Sequence, residues 1–236
     1  GAVHAPLLAK DADIARYDGR YREGWDALRE ARFARQLELG VLEPGTALPP
    51  RNSERGHEVL PWDSLEPEVQ ELFARYMAVY AAMVDNVDQQ LGRLLGALSD
   101  MGELDNTLVL FTSDNGASRE GEAEGTTAYY QHLLGATDTS ADLARLAEIG
   151  GPTTTPHYPR GWAMAGNTPF RLYKINTHRG GHSVPLIVHW PDGLRDAIDE
   201  PFRRQYAFVT DLLPTFLELI GIERPDVRNG KKLKPL

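Results

Sequence analysis

The 236-residue chain contains no cysteine. That excludes disulfides, thiolate metal sites and cysteine nucleophiles, and it leaves the compartment open because secreted proteins can also lack cysteine. Long hydrophobic runs are missing too: no stretch approaches the ~18 apolar residues of a membrane-spanning helix. The opening Gly1-Ala2-Val3-His4-Ala5-Pro6 has no basic region followed by an apolar one. The expectation is a soluble protein without a membrane partner, the cytoplasm slightly favoured. Positive charge is in deficit, with 25 Lys and Arg against 34 Asp and Glu and a formal net charge of -9. This disfavours nucleic acid or an anionic membrane as the main partner and leaves local basic sites open. An initiating methionine is lacking as well, and residues 1–6 read like the end of a strand entering a loop, so something is expected to precede them. With 42% hydrophobic residues the chain can bury one sizeable core.

Residues 24–39 place Trp25, Leu28, Ala31 and Leu37 at helical intervals among Arg and Glu, a surface helix ending at Gly40. The proline-rich run 42–61 reads as a loop. A longer helix follows, with Ser64 as its cap, Glu66 and Glu68 at its positive end and Pro67 in its first turn. Its stripe of Leu72, Tyr76, Val79, Met83, Val87, Leu91, Leu94 and Leu98 predicts one core-facing side. Gly92 and Gly96 cost ~1 kcal/mol each against alanine in a helix, for which close packing is the expected reason.

Residues 106–112 form a short apolar run rich in strand formers, as in a strand covered on both faces. A helix leading into such a strand suggests an α/β fold with a largely parallel sheet flanked by helices. Further strands are expected at 184–190, where Pro185 weakens the start, and at 205–209, followed by a helix over 211–220 that stops at Gly221. Residues 117–165, with a short helix at 141–149, read as a surface insertion near the site.

The chemistry starts where the first strand ends, at Ser113-Asp114-Asn115-Gly116. Carboxyl ends of strands line the ligand crevice in open α/β sheets. The carboxylate of Asp114 and the amide oxygen of Asn115 suit a hard cation such as Ca²⁺ or Mg²⁺. These four residues alone read as a simple turn before they read as a ligand pair. Later, Asn167 to Lys174 and then Ile175-Asn176-Thr177-His178-Arg179-Gly180-Gly181 place a lysine ahead of a glycine pair. Lys174 can present an ammonium to an anion where glycines let the backbone approach, or it and Arg171 can be solvated surface charges. His4 can donate a proton or hydrogen bond, or be merely exposed; His178, His182 and His157 carry the same ambiguity.

The run Leu104-Asp105-Asn106-Thr107-Leu108-Val109-Leu110-Phe111-Thr112-Ser113-Asp114-Asn115-Gly116 resembles the strand and metal-binding segment of arylsulfatases in the alkaline phosphatase superfamily. Lys174 to Gly181 and the strand through Pro191 resemble the same family's lysine, glycine-pair and strand segment. Val3-His4-Ala5-Pro6 resembles its histidine loop, and Val209-Thr210-Asp211-Leu212-Leu213-Pro214-Thr215 a later strand-to-helix junction; residues 229–236 match loosely beyond it. The resemblance implies an incomplete alkaline-phosphatase-like fold, with residues 1–236 as part of a sulfatase catalytic domain. It implies Asp114 and Asn115 as ligands of a divalent cation, usually calcium, Lys174 on sulfate oxygens, and His4 on the sulfate or leaving-group oxygen, with His178 a further substrate contact. The substrate implied is a small-molecule sulfate ester.

Two features depart from the family pattern. Arg179 stands where an acidic residue is usual. The Cys/Ser-x-Pro-x-Arg motif that yields the formylglycine nucleophile is missing, as are two further metal-binding aspartates; Ser183-Val184-Pro185-Leu186-Ile187 has no arginine in place. The formylglycine is expected in a segment upstream, and this segment alone is expected not to turn over. A phosphodiesterase or phosphonate hydrolase of the same superfamily, and a non-catalytic anion-binding module, are the alternatives. Oligomeric state is open.

Overall fold

The computed structural model describes residues 3–195, 202–223 and 225–233, and the chain divides into two compact units, residues 1–197 and 198–236. The first unit contains helices α1 (Asp11–Ala15), α2 (Gly24–Glu38), α3 (Pro67–Asp100), α4 (Tyr129–His132), α5 (Thr139–Ala144), α6 (Arg160–Gly166), α7 (Arg179–His182) and α8 (Pro191–Leu194). Strand β1 (Val109–Thr112) lies between α3 and α4, and β2 (Leu186–His189) between α7 and α8.

Its core is organised by tryptophans. Trp25 of α2 meets Trp62 and Trp162 at ring-centroid distances of 4.9 and 5.6 Å, both edge to face, the arrangement that aromatic quadrupoles favour. Burying one such ring removes ~150–250 Å² from water, an upper limit of roughly 4–6 kcal/mol each. Their indole N–H groups stay satisfied: Trp162 donates to the Phe73 carbonyl at 2.8 Å, and Trp25 to that of Leu60 at 3.0 Å.

Helix α3 begins at Pro67 with Glu66 as its N-cap, while Ser64 closes the preceding 3-10 turn Trp62–Ser64. Leu72, Tyr76 and Val79 are fully buried, but no residue beyond Ala82 in this helix is. The stripe therefore faces a core only in its first half. A Cβ added to Gly92 or Gly96 would meet nothing within 4 Å, so close packing is not why these glycines are there.

Residues 117–165 do more than ride on the surface. Ile149, Tyr158, Trp162, Ala163, Met164 and Ala165 all belong to the core. The predicted helix at 141–149 is α5 together with a 3-10 turn, Leu146–Glu148.

The expected parallel sheet is not what the described residues form. Strands β1 and β2 pair antiparallel, with Val109 opposite His189 and Thr112 opposite Leu186. A helix followed by a strand predicts a crossover, but here the intervening chain leaves β1 and returns to β2 at the same end, which antiparallel pairing permits. Cover on both faces is not seen either, since β1 is half-buried to exposed and β2 is exposed throughout.

In the second unit, the extended segment expected to be a strand at 205–209 makes no ladder with the described residues and runs into a 3-10 turn, Val209–Asp211. The Asp211 carboxylate accepts from the Phe208 amide at 2.8 Å, and α9 (Leu212–Leu219) follows, ending before Gly221 in the left-handed region. Strands β3 (Val227–Arg228) and β4 (Lys231–Lys232) form a hairpin across Asn229 and Gly230, both at positive φ, as a two-residue type I′ turn requires. The rest of the 229–236 match, beyond Leu233, lies outside the described residues.

Because Gly92 and Gly96 are helical and unhindered, G92A and G96A should each stabilise the protein by about 0.5–1 kcal/mol in chemical denaturation followed by circular dichroism. Destabilisation by either would mean that the outer half of α3 is packed.

Candidate functional site

The antiparallel register decides what meets what. Thr112 ends β1 beside Leu186, and its hydroxyl donates to the Pro185 carbonyl at 2.9 Å. The Ser113-Asp114-Asn115-Gly116 turn leaving β1 therefore lies against the segment arriving at β2. Two backbone hydrogen bonds fix the contact: the Gly116 amide donates to the Gly181 carbonyl at 3.0 Å, and the Lys174 amide to the Ala117 carbonyl at 3.1 Å. The Asn167 side chain bridges them, its Oδ1 accepting from Ala117 N at 2.8 Å and its Nδ2 donating to the Leu172 carbonyl at 2.9 Å.

Glycine is required both where the two segments touch and where the lysine loop folds on itself. A Cβ on Gly116 would stand 1.7 Å from the Gly180 carbonyl oxygen, and one on Gly181 would stand 1.9 Å from that of Asn176. Backbone strain is stored beside the lysine as well: Leu172 and Ile175 have φ of 61° and 82°. Left-handed geometry at a β-branched residue costs on the order of 1–3 kcal/mol and persists only where its surroundings enforce it.

From this loop the Lys174 ammonium reaches His4 Nε2 at 3.0 Å and Glu120 Oε1 at 3.1 Å. His4 Nδ1 lies 3.1 Å from its neighbour's carbonyl, Ala5 O. A carbonyl can only accept, so we assign the proton to Nδ1, which leaves Nε2 as the acceptor of a lysine N–H. The structure thus brings two of the sequence candidates, His4 and Lys174, into direct contact, and holds the turn bearing Asp114 and Asn115 against the lysine loop. His178 enters differently: its carbonyl accepts from Gly181 N at 2.8 Å while its side chain is exposed. Arg171 is paired through its guanidinium with Glu54, and Arg179 stacks 4.9 Å over the Phe170 ring.

Glu120 was not legible as a site residue, nor were its supports. Its Oε2 accepts from Tyr129 Oη at 2.9 Å and lies 3.1 Å from Ser118 Oγ. Partial burial pushes the Glu120 carboxyl up, but the bonds from Tyr129 and Lys174, the lysine charge and Ser118 outweigh it, leaving the group below the usual carboxylate range. Tyr129 is pushed up to about 12 by burial and by the carboxylate it serves. Beneath, His157 is 1% exposed, with Nδ1 2.8 Å from the Tyr158 carbonyl and Nε2 3.1 Å from Ser118 Oγ. Burial lowers its pKa to about 4, against a smaller opposing effect of the Tyr158 carbonyl.

A divalent cation would find hard oxygen donors on Asp114 and Asn115, which suit it in kind. They do not complete a site, because calcium takes ~6–8 oxygens and no group of three or more His, Cys, Asp or Glu is poised for a metal among the described residues.

The Sulfatase family description matches residues 1–222. The chain belongs to the sulfatase family. It is 36% identical over 226 residues to an uncharacterized sulfatase of Schizosaccharomyces pombe, covering 95% of this chain and 38% of that protein. It is 32% identical over 235 residues to an arylsulfatase of Klebsiella aerogenes, covering 98% of this chain and 47% of that protein. The sulfatase chain therefore spans less than half the length of either relative. Mouse steryl-sulfatase is 33% identical over 162 residues, 66% of this chain and 20% of that protein. Membership implies the α/β fold of alkaline-phosphatase-like proteins; the described residues are rich in helix, with small antiparallel sheets. No helix among them is long and apolar enough to cross a membrane.

His157 gives this sulfatase a pH signature. Unfolded, the imidazole binds a proton near pH ~6.5; folded, it does so only at about 4. Its contribution is complete above the unfolded value and is lost as pH falls towards the folded one, roughly 3 kcal/mol over that window. Urea denaturation at a series of pH values should show this loss in the wild type and a shallower one in His157→Gln; equal slopes would assign the acid sensitivity elsewhere.

Proposed function

We propose that the whole protein hydrolyses sulfate esters, aryl sulfates among them, and that this chain supplies the anion-binding and leaving-group side of the centre. The observation that carries the reading is the 3.0 Å contact between Lys174 Nζ and His4 Nε2, on a loop hydrogen-bonded to the turn that bears Asp114 and Asn115. The names of the relatives support sulfate-ester chemistry in general.

In this reading Lys174 pairs with the sulfate oxygens and offsets charge that builds on them as the sulfur–oxygen bond breaks. Asp114 and Asn115 would hold one side of a divalent cation, calcium or magnesium, which when bound polarises the ester. His4 sits where it can serve the departing oxygen. With its proton on Nδ1 it must first take one up at Nε2 before donating there, so it acts as a general acid only in its protonated form. His178 offers an exposed imidazole to the organic part of the substrate. The nucleophile, a formylglycine in family members, would come from outside these residues, and this chain alone would not turn over.

With a chromogenic aryl sulfate and calcium, Lys174→Ala in the whole protein should lower kcat/KM by about 10²–10³, as the loss of a group stabilising transition-state charge does. The isolated chain should show no turnover above its own Lys174→Ala control. Full activity of the whole-protein variant, or turnover by the isolated chain that depends on Lys174, would overturn the corresponding half of the proposal.

A further inference from the structure

We propose that Glu120 is a built-in counter-ion of the anion site: it positions the Lys174 ammonium beside His4 and competes with a bound sulfate group for it. This rests on reading Lys174 as the anion-binding residue.

The geometry argues for it through the count of donors. An ammonium has three N–H groups. Glu120 Oε1 takes one at 3.1 Å and His4 Nε2 another at 3.0 Å, which aims the third and leaves it for an incoming oxygen. A lysine on a flexible stem ordinarily loses rotamer freedom when it binds a ligand; here two partners hold it beforehand.

Glu120 can act as a fixed anchor because its other oxygen is tied to the interior. Oε2 accepts from Tyr129 Oη at 2.9 Å. Tyr129 is 8% exposed, stacks on the His157 ring at 5.6 Å and donates its amide to the Thr155 carbonyl at 2.8 Å. Ser118 Oγ stands 3.1 Å from both Glu120 Oε2 and His157 Nε2. Its single hydroxyl proton can serve only one of them, and the Glu120 amide donates to that same oxygen at 3.3 Å. The carboxylate therefore hangs from a buried aromatic wall rather than from a mobile surface arm.

Its charge also has a cost for ligand binding. A sulfate group on Lys174 comes close to a second negative charge, so Glu120 weakens the anion it helps to orient. That favours release of the product sulfate. Glu120 Oε2 is 3.5 Å from His4 Nε2 as well, an ion pair only when the imidazole is protonated, so the same carboxylate would steady the charged form of His4. A merely structural Glu120 and a counter-ion differ in sign: neutralising the first loosens the site, whereas neutralising the second strengthens anion binding.

Isothermal titration of the whole protein with inorganic sulfate at low ionic strength separates the two. Lys174→Ala should weaken binding about tenfold or more, while Glu120→Gln should tighten it about three- to tenfold, the range for a partly exposed charge pair. Glu120→Ala should tighten it in the same direction and stands in if the glutamine variant does not fold. Unchanged or weaker sulfate binding by a folded Glu120 variant, with Lys174→Ala still impaired, would overturn the counter-ion role and leave the lysine site standing. Equal binding by wild type and Lys174→Ala would overturn the reading of Lys174 itself.

Discussion

Everything at the candidate site depends on one backbone contact, the docking of the turn after β1 onto the loop before β2. The Gly116 amide on Gly181 and the Lys174 amide on Ala117 are two hydrogen bonds between segments far apart in sequence. They exist because no Cβ stands between the two segments at Gly116, while Gly180 and Gly181 let the lysine loop fold closely on its own carbonyls. Individually such bonds contribute about 0.5–1.5 kcal/mol. With the burial of Leu172 and Tyr173 in the core they accompany left-handed backbone at Leu172 and Ile175, so the loop that presents Lys174 is held by docking and packing and not by intrinsic preference.

The core supplies the rigidity behind this contact. The tryptophan cluster, the inner half of α3, Ile149, Tyr158 and Trp162 to Ala165 form one apolar cluster, and the carboxylate facing Lys174 is hung from Tyr129, which stacks on His157 next to Tyr158 of that cluster. Position is therefore set by packing, while charge is set by a short chain of polar groups. The site is a lysine shared between an imidazole and a carboxylate, next to a turn whose oxygens suit a cation.

Much of this was legible in the sequence, and what was not has physical reasons. Helix α2 and the start of α3 follow from their periodicity, and the Asp-Asn-Gly turn, the lysine and the glycine pair stood out by residue type and by family resemblance. Strand direction was not legible, because the apolar run of β1 reads the same in a parallel or an antiparallel ladder; only the docking of its two ends distinguishes them. Gly92 and Gly96 invited an explanation by packing that the exposed outer half of α3 does not provide. Glu120 was hidden among Arg119, Glu122 and Glu124 in a polar stretch, where no spacing rule distinguishes a carboxylate that turns inwards. Ile149 and Trp162 were visible as apolar residues, yet the polar composition around them masked how deeply the segment enters the core.

The most direct test of the account is a crystal structure of the whole protein grown with calcium and soaked in sulfate. The expected result is a sulfate oxygen in hydrogen-bond contact with Lys174 Nζ and a cation at ~2.3–2.6 Å from the Asp114 carboxylate and the Asn115 amide oxygen, with Gly116 still bonded to Gly181. A lysine turned away from a turn that has come undocked would contradict it.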